Sequence, residues 1–513
     1  MLLTRRRLLS HVARLGLAPA LIPLLETAAL GQITRGRVRQ NIAVFARSSA
    51  NVAALRAGVK RMQQRSRANA DDPLGWTYWA NIHGTDRDGV PTDPMDPSGN
   101  PIYSQCKHSD EVLAQHFLSW HRPYLALFEM VLKQAAKEAG NRTEFELPYW
   151  NWYAARTIPA IYTQGNTNTN PLLHRRARNS VSGLSNAALS ATTMLGNNSG
   201  NDADTFSYAM EINPHGRVHD LIGGEMGSID TSARDPIFWL HHANVDRLWS
   251  AWMKTGAPDL PAAGSSWGNE SWYYNTDGSW NATASASLDS EAGFGYHYDD
   301  EVLPVSNALV VAQVERSIIQ GVPAAEASST APATRSLVAG PATISATRQP
   351  ITLGSEPVSV QLAIAPQQAG RLRSFAEAPA SSPDIKSASI VLEDIELGPD
   401  GKAGGFSYDV VASLPGGPGG QRRRVVIDSI GSFSLSLAAH RQRRHMHGAA
   451  PNKITLTYPL AKFLKAIGGT DATNIADGVR ITLEPAHPPG RGRQPAYLTI
   501  GSIKLNVSPQ PAP

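Results

Sequence analysis

The stretch Asp235-Pro-Ile-Phe-Trp-Leu-His-His-Ala-Asn-Val-Asp-Arg-Leu-Trp249 decides how this chain is read, together with Asn213-Pro-His-Gly-Arg-Val-His-Asp220 just before it. Asp235 is a good helix N-cap, Pro236 suits the first helical position, and Phe238, Leu240, Val245, Leu248 and Trp249 give the helix its apolar faces. His241 and His242 then point about 100° apart, so one of them reaches a metal and the other stands behind it. His215 and His219 are four residues apart. On a helix they lie one turn apart on the same face, able to grip one ion that needs a third ligand. A His-x-x-x-His pair alone is weak evidence, because such pairs arise by chance.

The longer run closely resembles the second copper-site signature of the tyrosinase, catechol oxidase and haemocyanin family. The resemblance implies His215, His219 and His242 as ligands of one copper, with His241 behind them. Upstream, Gln115-His-Phe-Leu-Ser-Trp-His-Arg-Pro-Tyr-Leu-Ala-Leu-Phe-Glu129 resembles the first copper-site signature through Trp120-His121-Arg122-Pro-Tyr and Phe128-Glu129. That implies His121 as a ligand, and His83, in the aromatic segment Trp76–Gly84, resembles the upstream ligand of bacterial members. The third ligand of this set departs from the family spacing: Val112 stands nine residues before His121, where the family usually has the histidine. His108 is favoured over His116, because Cys106-Lys-His108 resembles the fungal arrangement in which a cysteine is thioether-linked to this ligand. His116 remains as a pocket residue or an alternative ligand.

Three imidazoles per ion suit copper and leave positions open for a small bridging molecule, although zinc also accepts three histidines. The resemblance implies two copper ions, dioxygen bound between them, and small phenolic substrates. It also implies roles for three further residues. Glu211, four before His215, matches a water-holding glutamate. Gly216 stands where many monophenol hydroxylases carry an Asn that helps polarise that water into a base. Ile229, thirteen before His242, matches the gate over the pocket. A glycine has no side chain to polarise water, so the expected activity is oxidation of o-diphenols to o-quinones with weak or absent monophenol hydroxylation. A full tyrosinase is the first alternative, and a haemocyanin-like oxygen carrier is the alternative of another class.

The chain has 513 residues, 42% hydrophobic and 18% charged, enough for two or three cores. A net charge of +4 gives no argument for nucleic acid, and Arg422–Arg424 and Arg441–Arg444 read as solvated faces. The single cysteine, Cys106, excludes an intramolecular disulfide. Residues 1–31, with Arg5-Arg6-Arg7 before a short apolar run, look like a twin-arginine export signal, too short and interrupted to span a membrane. That points to the periplasm or beyond.

Helix periodicity runs from Ile42 to Arg67, and the tryptophans of Leu147-Pro-Tyr-Trp-Asn-Trp152 read as core. Gly295-Tyr-His-Tyr298 resembles the Tyr-x-Tyr signature that closes polyphenol oxidase catalytic domains, with Arg37 or Arg39 as its partner. Residues 304–340 are Ala/Pro/Ser-rich and read as a linker. Beyond them, strand-like runs at 358–364, 388–395, 406–411, 453–457, 479–483 and 497–505 predict an all-β sandwich over 341–513. This half resembles, more loosely, the C-terminal domain that covers the copper site in latent plant polyphenol oxidases. The expected architecture is a mainly α catalytic domain over 32–303, a four-helix bundle holding the dicopper site, followed by that β domain.

Overall fold

The first long helical stretch breaks where a serine caps it. The computed structural model describes residues 36–86, 93–107, 116–184, 205–256, 259–262, 264–304, 326–327, 342–347, 349–377, 382, 384–414, 423–446, 453–460, 478–486 and 495–509. A single turn at Ile42–Phe45 ends, and α1 (Ser49–Ala68) begins anew because Ser48 Oγ accepts from the Asn51 N–H at 3.2 Å. The expected continuous helix from Ile42 is therefore two. Next come α2 (Trp76–His83) and α3 (Phe117–Glu138).

Before α4 (Arg217–Ile222) the backbone widens into a π turn over Glu211–Gly216. Pro214 has no N–H to give, and Asn213 leaves helical geometry at φ −150, ψ 109, so the ladder cannot close at its usual spacing. His215 thus sits in a widened turn and His219 in a regular helix, a correction to the single-helix expectation. Helix α5 (Ile237–Met253) starts as its sequence predicts: Asp235 Oδ1 accepts from the Ile237 N–H at 3.0 Å, and the same carboxylate pairs with Arg176 at 2.6 Å. Every residue of α5 from Ile237 to Trp252 is buried. Around it Phe128 stacks on Trp239, with ring centroids 3.4 Å apart.

The ends of the helical half are pinned together. Strand β1 (Arg37–Arg39) pairs in parallel with β2 (Tyr296–Tyr298), setting Arg39 opposite Tyr298. Of the two candidate arginines Arg39 is the partner. Its guanidinium lies 3.6 Å over the Tyr296 ring and pairs with Glu129 at 2.5 Å, while Arg37 reaches the Phe294 carbonyl instead. Asp246 joins the network, accepting from Arg122 at 2.5 Å, Tyr296 at 2.7 Å and Tyr298 at 2.5 Å. Burial by itself would raise its carboxyl, but Arg122 and Arg39 hold it below the usual carboxylate range.

The C-terminal half has two sheets around one apolar core. Its strands are β3 (Glu326–Ala327), β4 (Ala342–Ala346), β5 (Ile351–Leu353), β6 (Val358–Leu362), β7 (Ile385–Leu397), β8 (Ser407–Leu414), β9 (Arg423–Gly431), β10 (Ile454–Pro459), β11 (Val479–Pro485) and β12 (Leu498–Pro509). One sheet runs β9-β8-β11-β6-β3; the other runs β10-β7-β12-β4, with β5 also on β12. All six strands expected from the sequence are present. The all-β expectation is corrected by two helices, α6 (Pro366–Glu377) and α7 (Ser432–Met446). Within the expected linker, β3 adds a parallel edge to β6. The expected export signal lies outside the described residues. Among the described residues no helix is long and apolar enough to cross a membrane.

Removing one charge from the Arg39 network leaves buried carboxylates without their partner. Arg39→Met is expected to destabilise the helical half by about 3–5 kcal/mol, read by urea unfolding. A loss below ~1 kcal/mol would show that the pinned ends do not matter to stability.

Candidate metal centre

Five helical elements deliver the histidines. His83 ends α2, His121 lies in the second turn of α3, His215 and His219 come from the π turn and α4, and His241 and His242 from α5. All six are buried. His215, His219, His241 and His242 each bring a ring nitrogen within 4.8 Å of the others, and His83, Cys106 and His121 form a second such group. The two groups meet where the His121 and His242 rings stack, 4.4 Å apart and 13° from parallel.

What aims these rings is the main chain. His83 Nδ1 lies 3.1 Å from the Ile229 carbonyl, His121 Nδ1 2.6 Å from Phe117 O, His215 Nδ1 3.0 Å from Glu211 O, and His219 Nδ1 2.8 Å from Met226 O. A carbonyl only accepts, so each Nδ1 carries the proton and each Nε2 keeps its lone pair, the form a metal binds. His219 Nε2 is buried with no hydrogen-bond partner, and His215 Nε2 and His242 Nε2 face each other at 3.3 Å. Converging lone pairs in an apolar pocket fit a cation. Burial, reinforced by neighbouring imidazoles, holds His219 and His242 well below the usual histidine range, so they stay neutral.

His241 is wired the other way. Trp152 Nε1 donates to His241 Nδ1 at 3.1 Å, which forces the proton onto Nε2. In the neutral ring Nε2 is then an N–H, buried with no hydrogen-bond partner, while the ring stacks 5.2 Å from His215. This separates the two adjacent histidines, and it corrects the reading of Trp152 as core packing alone. The sequence carried no signal for it, because the indole and the imidazole are far apart in the chain.

His116 lies outside both groups. It stands at the N-cap of α3, bonds Ser119 Oγ at 3.1 Å and stacks on Trp267 at 5.3 Å. Burial, then Lys107, lowers it to about 4. Cys106 Sγ lies 3.6 Å from His121 Nε2, so the thiol faces the first histidine set. His108 lies outside the described residues, and with it the expected thioether partner. Glu211 is buried and lends its backbone carbonyl to His215. A Cβ built on Gly216 would sit 3.2 Å from Glu211 O and 3.9 Å from Phe433.

Phe433 was not foreseen. It comes from α7 and stacks on His219 at 4.1 Å and 15°, with Ile229 and Leu437 beside it in one apolar cluster. Asp220, the residue after His219, accepts from the Phe433 N–H at 2.6 Å and so caps α7 across the two halves.

Comparison with known proteins agrees with this geometry. The family model "Common central domain of tyrosinase" matches residues 73–183 and 162–255. The chain is 28% identical to tyrosinase HcTyr1 of a Hahella species, over 62% of this chain and 70% of that protein. It is 31% identical to a tyrosinase of Streptomyces antibioticus, over 34% of this chain and 75% of that one. Against the chloroplastic polyphenol oxidase of Malus domestica it is 28% identical over 48% of this chain, spanning less than half of the relative, 46%.

The tautomer argument yields a metal count. His241→Phe is expected to keep two metal ions per chain and His242→Ala one, measured by elemental analysis of the purified, metal-loaded protein. The reverse pattern would assign the ligand to His241.

Proposed function

The chain belongs to the tyrosinase family of binuclear copper oxidoreductases, and from that premise we propose that it uses dioxygen to oxidise o-diphenols to o-quinones, with little or no monophenol hydroxylation. The observation that carries this is the convergence of two buried histidine groups whose ring nitrogens are aimed by backbone carbonyls. His83, His108 and His121 hold one copper, and His215, His219 and His242 the other. When bound, the pair supplies dioxygen binding and electron transfer; two diphenols and one dioxygen give two quinones and two waters.

The chain's own residues do the rest. The neutral imidazoles need lose no side-chain proton to bind metal. Glu211 holds a water beside the second set, and Gly216 offers it no amide partner. Ile229 lines the entrance. Cys106, beside His121, is the residue available for a thioether to His108. His116 serves as a packed helix start: His116→Ala keeps both coppers, and His108→Ala loses one.

Phe433 supports a latent form. Its ring, carried by the β domain, stacks on His219 at 4.1 Å, and a phenol approaching that histidine would have to displace it. With β3 already paired to β6, the tether is the shorter stretch 304–325, and it holds that domain at roughly millimolar local concentration, so modest docking keeps the pocket closed. Residues 1–31 export the protein by the twin-arginine route.

Burying one aromatic side chain is worth about 1.5–3 kcal/mol, so Phe433→Ala should shift the open fraction roughly 10- to 100-fold. Catechol turnover, followed by oxygen uptake, is expected to rise accordingly; no rise would remove the covering role. Gly216→Asn is expected to raise turnover of tyrosine relative to its catechol analogue. A parent protein that already turns both over equally fast would instead be a full tyrosinase.

A further inference from the structure

Two of the carbonyls that aim the histidines belong to one short segment. Met226 O holds His219 Nδ1 at 2.8 Å, and Ile229 O holds His83 Nδ1 at 3.1 Å, so this segment orients one histidine of each set. Its other face is held by α7. Ser436 Oγ accepts from the Ile229 N–H at 3.1 Å and lies 3.1 Å from Ser228 Oγ. At Gly227 the two approach so closely that an added Cβ would lie 2.5 Å from Ser432 Oγ. Ile229 therefore accepts a histidine of the helical half through its carbonyl and donates to a serine of the β half through its N–H.

We propose that Ser436 is a positioning residue for both metal sets: by fixing residues 226–229 it keeps His83 and His219 aimed, so the β half retains the metal as well as covering it. This rests on the dicopper reading, but it does not depend on whether Phe433 blocks substrate. Outer partners that orient ligating histidines typically govern metal affinity by about 10–100-fold, and Ser436 acts one bond further out. Without its hydroxyl, the Ile229 N–H is left unpaired and the segment is free to turn its carbonyls.

The experiment follows copper release from the full-length holoenzyme into excess chelator, in the range where the rate no longer depends on chelator concentration. Ser436→Ala is expected to release copper about five- to tenfold faster than the parent, with the unfolding midpoint of the metal-free protein lowered only by the loss of one hydrogen bond. Ser436→Thr, which keeps a hydroxyl, is expected to return toward the parent rate. An unchanged release rate in Ser436→Ala would overturn the proposal. So would faster release matched by an equal loss of metal-free stability, because the loosening would then be global. Catechol turnover of Phe433→Ala reads the covering role separately, so either idea can fail while the other stands.

Discussion

The hydrogen bond from a histidine Nδ1–H to a main-chain carbonyl is the constraint on which this site depends. A ring with both nitrogens unbound can turn and exchange its proton; a ring tied to a carbonyl cannot do either without losing a buried bond. The carbonyls of Phe117, Glu211, Met226 and Ile229 serve four rings in this way. None of these carbonyls is a side-chain choice. They follow from where helices begin, widen and end, so the fold itself sets the direction of the ligand atoms. The π turn at Glu211–Gly216 is the clearest case, since Pro214 opens the ladder in the same turn whose Glu211 carbonyl receives His215.

Much of this was legible from local patterns. The run from Asp235 to Trp249 carries its own helix start, its apolar faces and its histidines, and it folds accordingly. The strands of the second half follow alternation, which is also local. What the sequence concealed depends on partners distant in the chain. Trp152 looks like core until His241 is set beside it. Helix α7 begins at Ser432-Phe-Ser-Leu-Ser-Leu437, whose alternating apolar residues mimic a strand, and the acceptor that caps it is Asp220, from the other half. The choice between His108 and His116 was opened by altered spacing; the structure gives His116 a packing role and leaves His108 outside the described residues.

The junction between the halves is polar where it is specific and apolar where it is tight. Arg217 pairs with Asp409, Arg178 donates to the Gly405 carbonyl at 2.6 Å, and Asp220 caps α7, while Phe433, Ile229 and Leu437 pack between them. Charge and hydrogen-bond pairing of this kind fixes register, and the apolar cluster excludes water from the contact.

Helix α5 has no solvent face, and that bears on how this chain can drift. At an ordinary surface helix roughly half the positions accept almost any polar residue, and random change accumulates there unnoticed. From Ile237 to Trp252 no such positions exist, because every side chain in the span is buried. A random substitution in this span is met either as a void or as an overfilled core. Laboratory libraries built on the chain would therefore gain more by leaving these positions fixed and spending their diversity on the sheets and loops of the second half.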